Sequence, residues 1–87
     1  MELFVRNRVA DFDTWLVVVQ RDEAARIAAG LQILHVWRSV DDPNEIFFVL
    51  GVRDRAEAEA FMATPEAAQA GRDAGVIEGE YRFVEKA

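Results

Sequence analysis

His35 and Trp37 lie two residues apart in LQILHVWRSVDDPNEIFFVLGV, residues 31–52, and His35 is the chain's only histidine. Imidazole is the side chain that changes charge nearest neutral pH, so it could take a proton from a phenol stacked on the Trp37 indole. The alternative is structural: the His35 ring N–H bonds a backbone or carboxylate oxygen, and Trp37 fills core. Asn7, in ELFVRNRV, occupies an apolar face of its segment. Its amide could orient a carbonyl or hold an oxyanion in a low-dielectric cleft, or only satisfy backbone near a strand end. Tyr81 is the only phenol, and a buried tyrosine commonly finds one hydrogen bond whatever its role. Trp15, at the start of a helix, serves as core or as the lid of a cleft.

Other chemistries are excluded by what the chain lacks. With no cysteine there is no disulfide, thiol nucleophile, thiolate zinc site or iron–sulfur cluster, and one histidine rules out a multi-histidine metal site within one chain. Ser39 is the only serine; four strand positions from His35, it is about 13 Å away, too far for a nucleophilic triad. Asp41, Asp42, Asn44 and Glu45 lack the glycine and the ligand spacing of a calcium loop. Gly71 and Gly75 follow a helix and lead to no Lys-Ser/Thr, so they make no phosphate loop. Neither a metal nor a cofactor is expected. A net charge of −6, from 16 acids and 10 bases, argues against nucleic acid, whose binding rests on clustered cations. No apolar run is long enough to span a bilayer, and Met1-Glu2-Leu3-Phe4 lacks the basic start of a leader, so a soluble, cytoplasmic protein without membrane partners is expected.

These residues must be positioned by a small fold. The 87 residues, 52% hydrophobic, make one domain, 1–87, of a size that buries only about 60% of its unfolded surface. Glu2–Val9 reads as a strand with Leu3, Val5, Asn7 and Val9 on one face. Asp11 or Asp13 caps an amphipathic helix over DTWLVVVQRDEAARIAAG, with Trp15, Val18, Val19, Ala25 and Ala29 inward and Gln20, Arg21, Asp22, Glu23 and Arg26 outward; Gly30 supplies the left-handed cap. The 31–52 stretch reads as a hairpin, with Pro43 and Asn44 second and third in the turn and Val40 opposite Glu45. Asp54 with Glu57 forms a capping box for a second helix, Thr64 and Pro65 start a third, and GEYRFVE after a Gly-flanked VIEG is the last strand. The acidic residues Glu57, Glu59, Glu66 and Asp73 read as solvated helix faces. The order β-α-β-β-α-β is the ferredoxin-like plan, an α+β fold with a four-stranded antiparallel sheet.

Such a sheet normally alternates polar and apolar residues on its water-facing side, and this hairpin does not. Val40 opposite Glu45 puts Ile33, His35, Trp37, Ile46, Phe48, Leu50 and Val52 on one face, and Leu34, Val36, Arg38, Phe47 and Val49 on the other. Both are too apolar for a free surface, so a homodimer through the open sheet face is expected. Arg6, Arg8 and Arg38 would share that open face and pair with Glu2 or Glu80 across the dimer.

Through VADFDTW, DDPNEIFFVL and TPEAAQAGRDAGVIEGEYRF, nearly the whole chain resembles the small dimeric α+β barrel proteins related to antibiotic-biosynthesis monooxygenases and to proteins labelled polyketide cyclases. The resemblance implies two sheets closing into a barrel across the dimer, helices outside, and a cleft between helices and sheet for a small aromatic or polyketide-like ligand. It implies a cofactor-independent monooxygenase or cyclase, with a non-catalytic ligand-binding or dimerisation module as the alternative. Some members oxidise phenols or anthrones without metal or flavin, and their cleft Asn, Trp, Arg and Tyr residues make Asn7, Trp37 and Tyr81 the nearest equivalents. The expected site is therefore His35 and Asn7 as catalytic groups, with Trp37, Trp15, Tyr81 and Phe48 binding substrate.

Overall fold

The computed structural model describes all 87 residues. Strand β1 (Glu2–Val9) is followed by helices α1 (Phe12–Arg21) and α2 (Glu23–Ala28) and the hairpin β2 (Leu31–Arg38) and β3 (Glu45–Val52); helices α3 (Arg55–Met62) and α4 (Pro65–Asp73) lead to β4 (Val76–Val84). The sheet order is β2-β3-β1-β4, and β1 pairs antiparallel with both β3 and β4. This is the ferredoxin-like α+β plan. No helix is long and apolar enough to cross a membrane.

Local chemistry sets the element ends. The Asp11 carboxylate accepts from the Thr14 N–H at 3.0 Å, so Asp11 rather than Asp13 caps α1. The expected single first helix breaks at Asp22 into α1 and α2. Gly30 has φ +78°, the left-handed value foreseen for the helix end. Asp54 caps α3 by accepting from Ala56 N–H, but Glu57 does not close a capping box: Arg53 takes its carboxylate at 2.8 and 3.0 Å. Thr64 caps α4 with Pro65 at its first position. The last strand begins at Val76, so VIEG lies inside it.

The DDPN turn also ties the layers together. Glu45 N–H donates to Asp42 C=O at 3.1 Å across Pro43 and Asn44, and the Asp42 carboxylate accepts from Asn44 N–H at 2.9 Å. Asn44 in turn accepts from Phe12 N–H through its side chain at 3.0 Å and from Val9 N–H through its carbonyl at 2.9 Å. One turn residue thus joins the hairpin tip to the end of β1 and the start of α1.

The hairpin register corrects the expected faces. Arg38 pairs with Ile46 and Trp37 with Phe47, and the register shifts between Ile33 and His35, leaving Leu34 as the extra residue of a β-bulge. Ile33 pairs with Leu50 on the helix side, whereas Leu34 lies 3.7 Å from where a Gly51 Cβ would stand on the other side. His35 and Trp37 therefore face away from the helices with Phe47 and Val49, not with Phe48 and Leu50. Arg38 moves the opposite way: its guanidinium lies 4.2 Å from the centre of the helix residue Phe12.

Only 9 of the 87 residues are buried, and they form two clusters instead of one continuous core. One holds Val9, Trp15, Val18, Ile46 and Ala74; the other holds Leu3, Leu31, Leu50 and Ala58. Phe48 packs against both. A helix layer joined to its sheet at two places leaves space between them.

Candidate functional site

That space is a cavity of about 520 Å³. From the sheet, Asn7, Ile33, Phe48 and Val76 form its floor; from the helices, Trp15, Val18, Val19, Phe61, Ala67 and Ala70 form its walls. Alternation along β1 places Asn7 there, because Leu3 and Val9 of the same parity are both buried under the helices. Trp15, only 1% exposed, is fixed by Phe12 at 5.8 Å and Phe48 at 5.4 Å between ring centres. It presents a packed aromatic wall.

Asn7 is the one amide on the floor. No protein group hydrogen-bonds its side chain, and no polar side-chain atom in the chain is sealed away without a partner, so the amide opens into the cleft. Gly79, its neighbour on β4, makes this possible: a Cβ at that position would stand 2.7 Å from Asn7 Oδ1. An alanine there would require the amide to swing aside.

Charge is confined to the mouth, where Arg21, Asp22, Arg26, Glu66, Gln69 and Asp73 complete the lining. Arg21 reaches Asp22 at 2.9 Å and Asp73 at 3.2 Å, joining α1 to α4. Hydrogen bonds from Arg21 hold the Asp22 carboxyl below the ordinary aspartate range; Gln69, then Arg21, do so for Asp73. Arg26 differs, since no hydrogen bond or ion pair engages its guanidinium and burial lowers its pKa, with only longer-range pull from Asp22 and Glu23 opposing.

Of the six expected site residues, the structure brings Asn7, Trp15 and Phe48 together around the cavity. His35 and Trp37 stack on each other at 5.5 Å, and Trp37 stacks on Phe4 at 6.5 Å, all on the helix-free sheet face. Tyr81 pairs with Val5 on the edge strand, stands edge-on to Phe83 at 6.1 Å and is 49% exposed; it is not part of the cavity lining. Arg6 is also satisfied within its own chain, by Glu45 at 2.7 Å and Glu78 at 3.2 Å, with Glu80 at 3.9 Å. The mouth residues Arg26, Glu66 and Asp73 were assigned to solvated faces from sequence. Spacing could have found Arg26: it follows Val19 by seven residues and Trp15 by eleven, the same face of a helix.

No family model and no curated protein matches the chain. Solved structures do. An antibiotic biosynthesis monooxygenase superposes with a TM-score of 0.71 at 15% identity, covering 99% of this chain and 97% of the other. A Bordetella bronchiseptica protein provisionally assigned as an antibiotic biosynthesis monooxygenase gives 0.81 at 12% identity, over 99% and 95%. A NIPSNAP family protein of unknown function from Agrobacterium tumefaciens gives 0.71 at 18% identity, over 99% and 86%. The chain has the fold that these proteins share, along its whole length.

Proposed function

We propose that this protein binds a small aromatic or polyketide-like molecule in the cleft between helices and sheet, and that two copies associate through the helix-free faces of their sheets. The observation that carries the reading is the unpartnered Asn7 amide on a cavity floor whose other residues, like the helix walls, are apolar. Apolar walls supply affinity and one placed polar group supplies orientation, as in most small-molecule sites. The volume also lies within the roughly 300–1,000 Å³ usual for such sites. For the dimer, the support is the row of half-exposed apolar residues Phe4, Leu34, Trp37 and Val84, a patch of the kind that marks an interface.

The neighbours described as monooxygenases favour a chemical step on the bound molecule. An anthrone-like substrate would lie between Trp15 and Phe48, lose a proton and place its oxyanion against the Asn7 amide N–H. Dioxygen would then convert the activated ring methylene to a carbonyl, one oxygen atom staying in the product and the other leaving as water. Glu66, the mouth carboxylate without an arginine partner, is the candidate proton acceptor, since His35 faces the other side of the sheet. A cyclase would use the same amide to hold an enolate.

Calorimetric titration with 2-naphthol tests the binding reading. Wild type binds; Ala70→Phe, which fills the cavity from α4, abolishes binding; Asn7→Ala weakens it about fivefold, the worth of one hydrogen bond. Absence of binding to wild type, or equal binding to all three, rejects the cleft. Binding of anthrones without turnover under oxygen identifies a non-catalytic binding module.

A further inference from the structure

We infer that the ligand of this cleft carries a carboxylate on its apolar body, and that Arg26 is the residue that pairs with it. The inference rests on the small-molecule reading of the cleft and adds the chemical class of what enters.

The argument begins with the other helix-side arginines, each of which has a partner. Arg21 holds Asp22 and Asp73, Arg53 holds Glu57, Arg55 holds Glu59 and lies over the Phe83 ring, Arg72 donates to Gln69, and Arg38 lies over Phe12. Arg26 alone among them has no partner, yet it is partly buried and lines the cavity. A partly desolvated cation without a direct ion pair, held only by the longer-range pull of Asp22 and Glu23, is costly in a free protein. A ligand that brings the counter-charge recovers that cost, and a guanidinium receives a carboxylate through two parallel N–H donors.

The surroundings set which anion fits. One guanidinium and one amide suit a single negative charge better than a phosphate dianion, and the walls require that charge to be attached to a flat or aliphatic apolar group. Of the acids at the mouth, Asp22 and Asp73 are taken up by Arg21, and Glu66 is exposed on the first turn of α4. The remaining acidic charge of the chain is attenuated over a screening length of about 8 Å at physiological salt.

The test is a pair of probes of equal shape, 2-naphthoate and neutral 2-naphthalenemethanol, titrated into the full ¹⁵N-labelled chain at pH 7. Binding is read by NMR from the Trp15 indole and the Arg26 Nε–H, with the Trp37 indole as reference. In wild type the naphthoate binds about tenfold more tightly than the alcohol, the scale of a charge-assisted hydrogen bond. Arg26→Gln brings the ratio to about one, Arg26→Lys keeps part of the preference, and Arg53→Gln, outside the cleft, keeps all of it. Equal binding of the two probes to wild type, or a preference that survives in Arg26→Gln, overturns the anion assignment and leaves the cleft intact. Failure of both probes to bind overturns the cleft reading and this inference together.

Discussion

Replacing Trp37 with aspartate should separate the proposed dimer into folded monomers. Trp37 is 48% exposed in the single chain. With roughly 250 Å² for a whole tryptophan, about 120 Å² of largely apolar surface is available to a partner. Covering that area is worth about 3 kcal/mol at ~25 cal/mol per Å². A two-fold interface contains the residue twice, so the pair of substitutions removes about 6 kcal/mol, roughly four orders of magnitude in the dimer dissociation constant. The introduced carboxylate adds a desolvation cost in the same direction. Because the side chain lies on the outer face, stacked only on Phe4 and His35, the monomer keeps its core and its Trp15 cluster. Sedimentation equilibrium between about 1 and 100 µM, with far-ultraviolet circular dichroism as the folding control, reads the outcome. Wild type that is monomeric throughout, or a Trp37→Asp protein that dimerises as tightly as wild type, refutes the reasoning.

Three further outcomes follow from single contacts. Gly79→Ala should leave stability within about 1 kcal/mol, since Gly79 is exposed on an edge strand and its φ is not positive; because its Cβ displaces the Asn7 amide, it should weaken 2-naphthol binding as much as Asn7→Ala, measured by calorimetry. Asn44→Ala removes the acceptor for Phe12 N–H and should cost about 1 kcal/mol, a fall of roughly 4–8 °C in Tm for a domain of this size, whereas Asn44→Asp, which keeps the acceptor, should lose much less. Asp22, Glu57 and Asp73 have pKa values lowered in the folded chain, so their contribution is present above the unfolded carboxylate range and is lost as pH falls through the folded values. Thermal unfolding should therefore be level from about pH 8 to 5 and drop below about pH 4, with a shallower acid limb in Arg21→Gln.

The sequence was most legible where single residue types have one conformational use. Asp11, Thr64 and Pro65 mark helix starts, Gly30 marks a helix end, and Pro43-Asn44 marks the hairpin turn; each stands where its chemistry requires. The phase of β2 was not legible. A bulge at Leu34 needs no glycine or proline, and with apolar residues on both faces of the hairpin no polar alternation reveals which way His35 points. The loop also closes one residue differently from the Val40/Glu45 pairing, with Ser39 N–H donating to Glu45 C=O. The shifted loop carries His35 and Trp37 from the expected cleft to the open face, and the bulge returns Ile33 to the helix side. Asn7 escaped this uncertainty because β1 has a single clear alternation, with Leu3 and Val9 buried on the same side. Arg26 was obscured by its charge and not by its position: spacing places it on the face of Trp15 and Val19, but a charged helix residue reads as solvated.

The central claim is that the helix-side cleft, and not the His35/Trp37 face, holds the ligand. An ¹⁵N NMR titration of wild type with 2-naphthol separates the two directly, because the chain's two indole N–H signals belong to Trp15 in the cleft wall and Trp37 on the open face. The predicted result is a saturable shift of the Trp15 indole and the Asn7 side-chain amide, with Trp37 unmoved. A shift of Trp37 with Trp15 and Asn7 unchanged would contradict the account.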